Sequence, residues 1–132
     1  MSIPFRLEGL TLTVSNVERS VQFYAGTLGL EVAYQSLPAF ALVKLGGVSI
    51  GLHSIDEAAK EGVAPISKQS AFGVHVEFTT DNLDGLYEEL KSKGVNFVAP
   101  PHDEPWVRSM TAVDPDGHSI EFAQGRRGKN QT

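Results

Sequence analysis

Cysteine is absent from all 132 residues. That excludes a disulfide framework, a thiolate zinc site and a cysteine nucleophile, and it leaves the redox compartment open. Basic residues are scarce too. Eleven Lys and Arg stand against 16 Asp and Glu, a net charge of −5. A nucleic acid or an anionic membrane needs a basic surface opposite it, so neither is expected as a partner. No apolar run approaches the ~18 residues of a membrane span. No basic-then-apolar signal segment opens the chain, and a cytoplasmic location is the expectation. The phosphate-cradling loop, the dinucleotide fingerprint and the Gly-x-Ser-x-Gly elbow are all missing. His75-Val76-Glu77 lacks the His-Glu-x-x-His spacing of a metalloprotease helix.

The chain does contain an internal repeat. Gly9-Leu10-Thr11-Leu12-Thr13-Val14-Ser15-Asn16-Val17-Glu18 matches His75-Val76-Glu77-Phe78-Thr79-Thr80-Asp81-Asn82-Leu83-Asp84. Val48-Ser49-Ile50-Gly51-Leu52 matches His118-Ser119-Ile120-Glu121-Phe122. At two matched positions the copies differ in chemistry. The second copy carries His75 and Glu121, residue types that can bind a metal; the first carries Gly9 and Gly51, which offer no side chain. With 41% apolar and 20% charged residues, the composition is that of an ordinary globular domain.

Each copy reads as a strand, a helix and three further strands. Leu10, Leu12 and Val14 alternate with Gly9, Thr11 and Thr13, the pattern of a half-buried strand. Asn16 or Ser15 caps a helix whose apolar positions are Val17, Val21, Tyr24, Ala25 and Leu28, ended by Gly29. Strands are expected near Glu31–Gln35, Phe40–Leu45 and Val48–His53, with Gly46-Gly47 as a hairpin turn. Ser54 with Glu57 has capping-box spacing and predicts a short helix. In the second copy Val74, Val76 and Phe78 alternate with His75, Glu77 and Thr79. A helix over Leu83, Leu86, Tyr87 and Leu90 ends at Gly94, and strands follow near Asn96–Ala99, Arg108–Val113 and His118–Ala123. Asp114-Pro115-Asp116-Gly117 reads as a type I turn. Parity places the apolar set under the helices. The opposite face carries Gly9, Thr11, Gly51, His53, His75, Glu77 and Glu121, too polar a set for a packed core.

Leu12-Thr13-Val14-Ser15-Asn16-Val17-Glu18-Arg19-Ser20, Phe23-Tyr24 and Leu28-Gly29-Leu30 resemble the opening of the vicinal oxygen chelate superfamily. That superfamily holds glyoxalase I, bleomycin-resistance proteins, extradiol dioxygenases and related epimerases and thiol transferases. Asp114-Pro115-Asp116-Gly117-His118-Ser119-Ile120-Glu121 is similar to its closing motif. The resemblance spans about residues 5–123. It implies an α+β fold of two tandem βαβββ modules forming curled sheets around a cavity. The expected layout is one domain over residues 1–132: module 1 about 5–54, a connection 55–71, module 2 about 72–124 and a tail 125–132. It also implies a homodimer. The family's metal ligands come from the first and last strands of each module, which carry over to Gly9, Gly51, His75 and Glu121. Half of that site is lost. Glu104-Pro105-Trp106-Val107-Arg108 looks like a loop of bleomycin-resistance proteins, which hold a large ligand without metal.

The candidate residues follow. His75 and Glu121 are candidate metal ligands, and Glu121 is also a candidate catalytic base. His53 shares the parity of Gly51 and is the candidate third ligand; Glu77, two residues from His75, is another. Trp106, Phe40, Tyr34 and Arg108 are candidate ligand-binding residues, the aromatics by stacking. Glu8 reaches the site only if a bulge turns it inward. His102 and Asp103 are placed in a Pro-rich loop at the rim, and His118 is read as structural. The main expectation is a protein that binds a small, aromatic or amphipathic molecule with no cofactor, its glycines widening the cavity. The alternative is a metal-dependent lyase or dioxygenase acting on a vicinal-oxygen substrate. It would use Fe, Mn, Ni or Zn held by His75, Glu121 and a third ligand from outside the family pattern. A metal-free enzyme with Glu121 as base is a further option.

Overall fold

The computed structural model describes residues 3–4, 7, 9–60 and 74–124. Glu8, most of the connection and the tail lie outside the described residues. The chain divides into two compact units, Met1–Pro65 and Ile66–Thr132. Each holds one four-stranded sheet, and neither sheet closes on itself.

In the first unit β1 (Leu10–Val14) runs parallel to β4 (Val48–Ser54). Beyond β4 lie β3 (Phe40–Leu45) and then β2 (Glu31–Ser36), both joined antiparallel. Val14, Ala41, Val43 and Leu52 are fully buried, the alternation that the apolar parity requires. Helix α1 (Val17–Val21) packs on β3 and β4. Asn16 caps it, its side chain accepting from the Arg19 amide at 2.9 Å. The sequence predicts one continuous helix to Leu28. Instead the backbone widens into a π-helical stretch over Gln22–Thr27, where the Leu28 amide reaches back five residues to the Phe23 carbonyl. The apolar positions hold, because Tyr24 is fully buried. Ser54 caps α2 (Ile55–Lys60), its hydroxyl accepting from the Glu57 amide at 3.1 Å.

The second unit repeats the order. β5 (His75–Thr80) runs parallel to β8 (Ser119–Gln124), followed by β7 (Arg108–Val113) and β6 (Asn96–Asp103). Helix α3 (Leu83–Ser92) packs on β6, β7 and β8 and buries Leu83 and Leu90 over Met110, Ala112 and Ile120. Asn82 caps it through the Gly85 amide at 3.0 Å. The turn before β8 is tied by Asp114. Its carboxylate accepts from the amides of Asp116 and His118 at 2.9 and 2.8 Å.

β6 is longer than its sequence predicts. It continues through Pro100-Pro101 to Asp103, so His102 and Asp103 belong to a strand and not to a loop. Proline is tolerated there because β6 is the outer strand and its register slips between Ala99 and His102. No helix among the described residues is long and apolar enough to cross a membrane.

Candidate functional site

Three candidate donors meet on the second sheet. β5 and β8 pair with Glu77 opposite Glu121 and His75 opposite Ser119. Alternate residues share a face, so His75, Glu77 and Glu121 all stand on the face away from α3. His75 Nε2 lies 3.7 Å from Glu121 Oε1. One ligand atom from each of the three falls within 4.8 Å of the others. The His75 side chain is 56% exposed and that of Glu121 only 16%, so the cluster has an open side and a sheltered one.

Two carboxylates directly opposite each other repel. A cation between them offsets that repulsion. One imidazole nitrogen with two carboxylate oxygens is a donor set that suits divalent ions of the Mn, Fe, Ni and Zn series. Three protein donors also leave coordination positions for a ligand. The residues present therefore fit the metal that the fold family implies. Among the described residues this is the one group of three that brings such donors together.

The first unit places other chemistry at the matching positions. A Cβ at Gly9 would stand 2.6 Å from the Ser49 carbonyl oxygen. A Cβ at Gly51 would stand 2.6 Å from Thr11 Oγ1 and 3.1 and 3.2 Å from Phe40 Cε1 and Cζ. The expectation that these glycines open space is corrected: at each position a neighbour has moved in. Phe40 also meets His53 edge-on, ring centres 5.6 Å apart, and Tyr34 at 6.5 Å. Tyr34 is 57% exposed. This face is aromatic where that of the second sheet is ionic. His53 belongs to the first unit and packs on Phe40; it is not in the three-donor group.

The remaining candidates sit as follows. Trp106 is 59% exposed, in a turn closed by the Glu104 amide on the Val107 carbonyl at 2.7 Å. Arg108 lies on the helix face of β7. It donates to Asp84 at 2.9 and 3.2 Å and to Asp103 at 3.1 Å. The hydrogen bond from Arg108 holds the Asp84 carboxyl below its usual range, and the two carboxylates push the guanidinium up. His102 Nδ1 lies 2.8 Å from the Pro100 carbonyl and Nε2 3.3 Å from Glu104. The carbonyl first and the carboxylate second raise its pKa above the ordinary 6.5. Sequence reasoning passed over Ser109, whose Oγ is buried with no hydrogen-bond partner among the described residues. Its parity with Glu121 becomes visible only once β7 is registered against β8.

The profile of the glyoxalase/bleomycin resistance protein/dioxygenase superfamily matches residues 6–122. The metallothiol transferase FosB of Staphylococcus haemolyticus is 30% identical, over 88% of this chain and 81% of its own length. The phenazine antibiotic resistance protein EhpR of Enterobacter agglomerans is 31% identical, over 81% of this chain and 82% of its own. The crystal structure of a glyoxalase/bleomycin resistance protein/dioxygenase from Nocardioides superposes with a TM-score of 0.74. It covers 96% of this chain and 88% of that one at 23% identity, a likeness of fold. On the extent of the profile match and these two relatives, the chain belongs to the glyoxalase/bleomycin resistance protein/dioxygenase superfamily.

Proposed function

We propose that this protein binds a small oxygen-bearing molecule on its second sheet, with a divalent cation held by His75, Glu77 and Glu121. The observation behind this reading is the meeting of three donor atoms within 4.8 Å on one sheet face. When bound, such an ion supplies Lewis acidity toward the oxygens of the ligand. His75 and Glu77 form the exposed side of the site. In this reading Glu121, sheltered on the central strand β8, gives one carboxylate oxygen to the cation and its other oxygen acts as general base toward the ligand. FosB, whose name describes a metallothiol transferase, supports metal use in this part of the superfamily. A single domain over residues 1–132, a homodimer and a cytoplasmic location remain part of the proposal.

Mn²⁺ titration followed by calorimetry tests it. Glu77→Gln and His75→Ala are each expected to weaken Mn²⁺ at least roughly tenfold, while His53→Ala leaves it unchanged. A wild-type protein that takes up none of Mn²⁺, Fe²⁺, Ni²⁺ or Zn²⁺ overturns the reading.

A second reading rests on the first unit. Phe40 over Gly51, with exposed Tyr34 beside it, offers a flat aromatic molecule a stacking surface that needs no metal. EhpR, named for resistance to phenazines, supports that class of ligand. In this reading a phenazine binds in the presence of EDTA, and Phe40→Ala weakens it.

A further inference from the structure

Among its described residues the second sheet carries one buried side-chain oxygen without a hydrogen-bond partner, and neither reading uses it. Ser109 stands on β7 opposite Ala123, two residues along β8 from Glu121 and on the same face. It is 1% exposed, and its Oγ has no hydrogen-bond partner among the described residues. Buried polar groups are nearly always paired, and an orphan needs a reason.

The repeat supplies a comparison. Gly51 matches Glu121. Leu42 faces Gly51 and Phe40 faces His53 in the first sheet. Thr111 faces Glu121 and Ser109 faces Ala123 in the second. Ser109 is therefore the counterpart of Phe40. In the first unit that position sends a ring over residue 51. In the second it holds a short hydroxyl diagonal to Glu121. Diagonal neighbours on one sheet face stand about 7–8 Å apart, a gap that a ligand of a few heavy atoms spans.

We infer that Ser109 positions the ligand. Its hydroxyl donates a hydrogen bond to an oxygen of a small molecule with two adjacent oxygens, of hydroxamate type, taken up at His75, Glu77 and Glu121. This rests on the cation reading above. Ser109 is 1% exposed, so access to its hydroxyl requires a neighbour to move, and in this proposal that neighbour is the ring of His102, the register partner of Ser109 on β6. That ring is held by the Pro100 carbonyl and by Glu104, and its side chain is 43% exposed. Contacts that exposed give way at little cost. Once the ligand is seated, a hydrogen bond closed off from water is strong.

The test titrates Mn²⁺ and then acetohydroxamate into wild type and Ser109→Ala by calorimetry, and records the melting temperature of both ligand-free proteins. Equal Mn²⁺ affinity is expected, with acetohydroxamate held roughly tenfold more weakly by the variant. Ligand-free Ser109→Ala is expected to melt no lower than wild type, because the group it removes is unpaired. Equal acetohydroxamate affinity in the two proteins overturns the role of Ser109 and leaves the cation reading standing. So does a Mn²⁺-loaded wild type that binds no acetohydroxamate. A wild type that binds no Mn²⁺ overturns the cation reading, and the role of Ser109 falls with it. If Ser109→Ala does not fold, Ser109→Cys replaces it. The thiol nearly keeps the volume but is a weak donor, and the same loss is expected.

Discussion

At Gly51 the missing side chain is answered by an incoming one. Phe40 places two ring carbons 3.1 and 3.2 Å from where a Cβ would stand, and Thr11 Oγ1 is nearer still at 2.6 Å. Adding a methyl there crowds a packed corner. Gly51→Ala is expected to lower stability by about 1–3 kcal/mol, measured by chemical denaturation. The cost shrinks in part in a Phe40→Ala background, because one of the two crowded neighbours is gone while Thr11 stays; strictly additive losses in the double mutant would count against the Phe40 contact. Much at this scale was legible in the sequence. Strand parity alone set His75, Glu77 and Glu121 on one face. Alignment of the copies named Gly51 as the counterpart of Glu121. The tilt of the Phe40 ring was not legible. The residue facing Gly51 is Leu42, so the ring arrives from a diagonal position that composition and spacing do not encode. Ser109 was hidden for the same reason, since its place is defined by the neighbouring strand.

Among the elements, the helices and most strands follow from alternation, capping residues and glycines. Two did not. The π-helical stretch Gln22–Thr27 keeps the apolar spacing of an α-helix, so the hydrophobic pattern does not reveal it. β6 contains two prolines, which read as loop in an isolated sequence. The outer strand of the sheet, with a slipping register, accepts them. The extension carries His102 into β6 and gives that strand a titratable tether. Both ring nitrogens of His102 face acceptors, the Pro100 carbonyl and Glu104, which favours the doubly protonated ring. Its folded pKa is raised above 6.5, so the stability it adds is complete below that value. That contribution is lost as pH rises through the folded pKa. An NMR titration of the imidazole is expected to show a midpoint above 6.5 in wild type. In Glu104→Gln the midpoint falls, because the carboxylate that favours the protonated ring is gone. A midpoint unmoved by Glu104→Gln would show that the carboxylate is not the partner in solution.

For the whole molecule, the two units share a plan and differ in what their sheet faces carry. Only the second unit presents a three-donor group among the described residues, while the first has glycines and aromatic rings at the matching places. Saturating Mn²⁺ is therefore expected to reach one ion per chain by equilibrium dialysis, not two. A stoichiometry of two would mean that the first unit, or residues outside those described, also builds a site. The strand order has a consequence for how the chain is made. In each unit the first strand lies parallel against the last, joining residues about 40 positions apart: Leu10 to Ile50 and His75 to Ser119. Neither sheet can be completed until its closing strand has been synthesised. During translation the first unit can finish its sheet once β4 clears the ribosome exit tunnel, while β5 waits with an open edge until β8 emerges. His75 and Glu77 are thus made before Glu121, and the three-donor corner cannot exist until β8 has emerged.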